Sequence, residues 1–84
     1  MKKVKFPFPV FTIKEGRWFV SECPVLGIAT QGRTEKEVRK NMIDLIKEYL
    51  ADPDTPKGQM QELASSSLSY ISVPVASELL YGQT

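Results

Sequence analysis

The stretch from Gly32 to Glu37 constrains this chain more than any other. Thr34 followed three residues later by Glu37 is a capping box. The threonine oxygen accepts from the Glu37 amide, and the glutamate reaches back to the start of the turn. Glu35 and Glu37 also stand at the positive end of the helix dipole. A helix must therefore begin near Glu35. Immediately upstream, Val25 to Gln31 is a short apolar run that reads as a strand, with Gly32 turning the chain at its end. Strand and helix are thus joined with almost no loop.

The helix is expected from Glu35 to about Leu50. Val38, Met42, Leu45, Ile46, Tyr49 and Leu50 recur at three- and four-residue steps and form one apolar face. Ile43 falls off that stripe and reads as a flank contact or an interface residue. The stretch from Asp52 to Gly58, with prolines at 53 and 56, ends the helix.

Upstream, Val10 to Lys14 is rich in β-branched and aromatic residues, and so is Arg17 to Glu22. Glu15-Gly16 lies between them, so the pair reads as a β-hairpin with a link of two to three residues. Cys23-Pro24 then bends the chain, because proline lacks the backbone donor. With Val25–Gln31 the hairpin becomes a three-stranded antiparallel meander. Downstream, Met60–Ala64 reads as a helical turn or a loop, and Ser65–Ser67 as a loop. Leu68–Val75 reads as a fourth strand, with Pro74 favouring an edge. Residues 76–84 form a short tail in which Ser77–Tyr81 suits a helical turn; it is apolar enough to dock on the body or on a second chain. The expected fold is α+β, in the order β-β-β-α-β, as a single domain over residues 1–84 with its core at about 6–75.

A chain of 84 residues buries only about 60% of its unfolded surface, so stability is marginal without assistance. Cys23 is the only cysteine and there is no histidine, so neither a disulfide nor a metal cage is expected. Oligomerisation is the remaining common route to more buried area, which makes a homo-oligomer, dimer or tetramer, the expectation. Net charge is +1 and the basic cluster is short (Lys2, Lys3, Lys5), a poor fit to a dedicated nucleic-acid binder. No run approaches the ~20 apolar residues of a membrane span, and the N-terminus lacks a secretory core, so a soluble cytoplasmic protein is expected.

The chemistry the residues permit is narrow. Without histidine, Ser-His and Cys-His nucleophilic sites are excluded. Cys23 beside Glu22 would have a raised pKa, which suits a small buried apolar residue better than a nucleophile. Paired carboxylates for magnesium would have to converge from strand and helix. However, neither Val10–Lys14 nor Tyr70–Val75 contains an acid. Gly27 to Gly32 lacks the spacing and the lysine of a phosphate loop. Phe6, Phe8, Phe11, Trp18 and Phe19 concentrate near the N-terminus. They suit a core, a protein interface or, less well given the mixed charge, stacking on single-stranded bases. Alternation puts Trp18 and Val20 on one side of the second strand, with Arg17, Phe19 and Ser21 on the other. Aromatic residues on both faces favour an interaction protein.

The segment from Trp18 to Leu50, WFVSECPVLGIATQGRTEKEVRKNMIDLIKEYL, resembles the HicB antitoxin family. Trp18, Val20, Cys23, Pro24, Leu26, Gly27, Thr30, Gln31, Gly32, Thr34, Glu37, Asn41, Tyr49 and Leu50 fit its pattern in order and spacing. The resemblance implies a partial ribonuclease H-like fold without nuclease residues. It also implies a non-catalytic module that neutralises a HicA-type, mRNA-cleaving toxin by covering its active surface, in a prokaryotic toxin-antitoxin setting. Full-length members often add a C-terminal DNA-binding domain. Only nine residues follow Val75, so the single-domain form is implied and direct DNA binding is not expected. Pro24, Gly27, Thr30, Gly32, Thr34 and Glu37 are the fold-determining positions of the pattern. No catalytic, cofactor-binding or metal-ligating residue is assigned. Glu15, Arg17, Trp18 and Glu22, expected to be exposed on the hairpin, are the partner-binding candidates. The alternative reading is a small nucleic-acid-binding or orphan regulatory domain.

Overall fold

A computed structural model describes residues 3–54 and 59–82 of the chain. Three antiparallel strands, β1 (Phe11–Glu15), β2 (Trp18–Cys23) and β3 (Ile28–Gly32), form one sheet in the order β1-β2-β3. Helix α1 (Glu35–Ala51) follows, then two short helices, α2 (Gln59–Ala64) and α3 (Ser77–Tyr81). This is the α+β arrangement expected for the first four elements. Among the described residues, no helix is long and apolar enough to cross a membrane.

The β1–β2 link is two residues, Gly16-Arg17, closed by the pair Glu15 and Trp18. Gly16 has φ 60° and Arg17 a negative φ, which is the II′ pattern that matches strand twist. The second link differs from the expectation. Val25 and Leu26 belong to a turn, and β3 begins at Ile28. The amides of Leu26 and Gly27 both donate to the Cys23 carbonyl, at 3.1 and 3.0 Å. Pro24 fixes φ near the start of that turn, and Gly27 ends it at φ 67°. An apolar pair that looks strand-like in sequence is thereby drawn into one tight turn.

Gly32 also departs from its expected role. It lies in β3 and needs no positive φ. A Cβ there would sit 2.7 Å from the Val38 backbone nitrogen and 2.9 Å from its Cα. The glycine lets the helix lie directly on the strand. Helix α1 starts as the capping box requires: Glu37 N donates to Thr34 Oγ1 at 3.0 Å. The Glu37 carboxylate accepts from Arg33 N, one residue before the cap, at 3.3 Å. Asn41, one turn further on, donates from Nδ2 to the Gln31 carbonyl at 2.9 Å and ties the helix to β3.

The helix packs on β2 and β3 and leaves β1 uncovered. Val38 and Met42 are buried, Leu45, Ile46, Tyr49 and Leu50 are half-buried, and Ile43 is exposed. On the inner sheet face lie Cys23, Ser21, Phe19, Thr30 and Thr12. The hydroxyls of Thr12 and Ser21 bond at 2.9 Å. Among the described residues only Cys23, Val38 and Met42 are buried apolar side chains, a very small core.

Downstream of α1, Met60–Ala64, which suits either a helical turn or a loop in sequence, lies in α2, and the turn at Ser77–Tyr81 forms as α3. The strand expected over Leu68–Val75 has no ladder within the chain: residues 66–76 carry no regular structure. A strand needs a neighbour to pair with, and none of the three sheet strands takes this segment.

Candidate protein-interaction face

The antiparallel register places Phe11, Ile13 and Glu15 of β1 on the same side as Glu22, Val20 and Trp18 of β2. Gln31 and Ala29 of β3 complete that side. It is the outer face of the sheet, opposite α1. Phe11 is 59% exposed, Ile13 53% and Trp18 39%, so an apolar stripe lies open across the centre of the face. Such a stripe resembles the apolar heart of a protein interface, while isolated exposed apolar residues need no explanation.

Of the four candidate residues, three converge. Glu15 and Trp18 are direct cross-strand partners, and Glu22 pairs with Phe11 on the same face. Arg17 sits in the hairpin turn beside them. The Arg33 guanidinium lies 5.3 Å from the centre of the Trp18 ring, a cation–π contact. Sequence reasoning missed Arg33. The signal was its position directly after Gly32, which pairs with Phe19, so that residue 33 falls opposite Trp18. Two acids and two arginines therefore frame the stripe, and the rim carries both signs of charge.

Cys23 is fully buried on the inner face. Burial pushes its pKa up, and backbone contacts from Leu26 and Val25 oppose this only in part. Glu22 is not the cause, because alternation turns it to the outer face. The thiol is a packing group with little thiolate character. Among the described residues no cluster of three or more His, Cys, Asp or Glu is placed to hold a metal ion.

The fold-determining positions fall into two groups. Pro24 and Gly27 build the β2–β3 turn. Thr30, Gly32, Thr34 and Glu37 build the passage from β3 into α1, with Thr30 half-buried opposite Ser21. None of them lies on the outer stripe.

No family model matches the chain, and neither the curated proteins nor the solved structures gave a match.

Proposed function

We propose that this chain is a HicB-like, non-catalytic antitoxin module that binds a HicA-type toxin ribonuclease through the outer face of its sheet. The observation that carries this reading is the apolar stripe of Phe11, Ile13, Trp18 and Val20, framed by Glu15, Glu22, Arg17 and Arg33. An exposed tryptophan with an arginine against it, beside β-branched residues and within a charged rim, has the make-up of an interface anchor. The Trp18–Leu50 pattern supplies the family and hence the class of partner. In this reading the sheet and α1 are the start of a partial ribonuclease H-like fold, whose fourth strand is a segment 68–75 contributed by this copy or by a second one. The outer face covers the toxin's active surface, and Glu15 and Glu22 pair with basic groups there.

The test is to purify the chain with a small basic ribonuclease of the HicA type from the same genome, then measure binding and RNA cleavage. The expected result is stoichiometric inhibition. Trp18→Ala should weaken binding at least tenfold, a loss of about 1.4 kcal/mol or more. Glu15→Lys with Glu22→Lys should chiefly slow association and reduce its salt dependence. Undiminished inhibition by the Trp18 and double-lysine variants would remove the outer face from the proposal. Absence of inhibition by the wild type would remove the antitoxin role.

A further inference from the structure

The chain exposes far more surface than its size explains. Its accessible surface is 7627 Å², whereas a folded monomer of 9.5 kDa is expected to expose about 5,000 Å². The radius of gyration is 16.0 Å with a longest extent of 54 Å, against about 12 Å for a compact chain of this length. Most of the large apolar residues left exposed lie in the C-terminal arm. Leu68, Tyr70, Ile71, Val73, Val75, Leu79, Leu80 and Tyr81 are each at least 53% exposed. Neither α2 nor α3 packs on the sheet or on α1.

The body, in turn, lacks something of matching shape. β1 has one unpaired edge, and α1 leaves its inner face uncovered. The result is an open groove between β1 and α1, lined by Thr12, Lys14, Phe19, Met42, Ile43 and Ile46. Phe6, Phe8, Pro9 and Val10 of the N-terminal segment also line it, as do this copy's own Leu68 and Tyr70, the first residues of the arm. The exposure of Ile43, which its sequence position left as a flank or interface residue, belongs to this groove.

We infer that the C-terminal arm of one copy fills this groove in a second copy, with residues 68–75 pairing along the free edge of β1, reciprocally in a two-fold dimer. The segment carries no regular structure, and no backbone hydrogen bond joins its residues to one another. Its eight residues span about 26 Å, more than enough for the five residues of β1 at about 17 Å. Alternation puts Ile71, Val73 and Val75 on one side and Leu68 and Tyr70 on the other. Such a strand offers apolar groups to both faces, which suits a sheet that is apolar on both. It becomes the new edge, where Pro74 is tolerated. β1 becomes interior, and it contains no proline.

The area agrees. The surplus is about 2,600 Å² per chain, or about 5,200 Å² for a pair, at the upper limit of the roughly 2,000–5,000 Å² or more that an obligate dimer buries in total. A core of three buried apolar side chains among the described residues gives a lone copy little to stand on, whereas an isologous exchange adds the same contacts twice. This inference is independent of the toxin-binding proposal, which uses the outer face and not the β1 edge.

Light scattering and sedimentation on the full chain should give twice the 9.5 kDa chain mass. Ile71→Lys with Val73→Lys should abolish the dimer. A mixture of isotope-labelled and unlabelled copies, refolded together, should show isotope-filtered NMR contacts between segment 68–75 of one copy and β1 of the other. That measurement on wild-type protein decides the matter even if the double variant fails to fold. A monomeric wild type would overturn the inference. So would a dimer untouched by the lysines, or contacts between segment 68–75 and β1 found only within one copy.

Discussion

Gly32 and Val38 meet backbone to backbone: a Cβ on residue 32 would lie 2.7 Å from the Val38 nitrogen. The first turn of α1 therefore rests on the end of β3 with no side chain between them. The obstacle is main chain rather than the flexible tip of a side chain, so a substitution cannot be relieved by a rotamer change.

Gly32→Ala should accordingly destabilise the fold by about 1–3 kcal/mol, as overpacking does. For a chain of this size each kcal/mol lowers Tm by about 4–8 °C. Thermal unfolding followed by circular dichroism checks this. An unchanged Tm would mean that the helix can shift off the strand.

Thr34→Ala should cost about 1 kcal/mol, since it leaves the Glu37 amide without the cap it has at 3.0 Å. Thr34→Ser keeps the oxygen and should stay close to wild type. Denaturant titration of the three proteins side by side gives the comparison.

Asn41 should behave as a tie between helix and sheet. Asn41→Ala loses the donor to the Gln31 carbonyl at 2.9 Å and should destabilise by about 0.5–1.5 kcal/mol. Asn41→Asp should be worse at neutral pH, because a carboxylate then faces a carbonyl. Lowering the pH until the acid protonates should restore part of the loss. A pH-independent gap between the two variants would count against the contact.

Cys23 should react slowly with a thiol reagent in the native protein and quickly in denaturant. Its pKa is raised by burial above the ordinary 9.0, so the folded state holds its proton where the unfolded state releases it. The unfolded state then binds fewer protons, and stability should fall as pH rises above about 9. Cys23→Ala should remove that part of the pH dependence. A native reaction rate equal to the denatured one would show the thiol to be accessible.

Local signals were the ones that could be read in the chain. Gly16 between two β-branched runs specifies a two-residue turn, and Thr34 with Glu37 specifies a helix start. Each rests on contacts within four residues. Val25-Leu26 misled because an apolar pair suits a strand or a packed turn equally, and the decision lay with Pro24 and the Cys23 carbonyl. The tight approach at Gly32 was hidden for a related reason. A glycine that turns a chain and one that admits a helix look alike until the helix is placed. Segment 68–75 has the alternation of a strand, but alternation names no partner, and a ladder is made by two segments. On the outer face, alternation already separated Trp18 from Phe19. The place of Arg33 over the tryptophan ring required the β2–β3 register.

The hydroxyl pair of Thr12 and Ser21 has a consequence for how the hairpin finds its alignment. Apolar contacts are forgiving, and a slipped strand trades one for another. Ser21 is 1% exposed, and its hydroxyl is satisfied by Thr12 at 2.9 Å. If β1 moved by one residue, Thr12 and Lys14 would turn to the outer face, Phe11 and Ile13 would turn inward, and the serine would be left dry and unmatched. One polar contact beneath the helix thus acts as a proofreading step on strand alignment, rejecting near-miss arrangements that greasy contacts alone would accept.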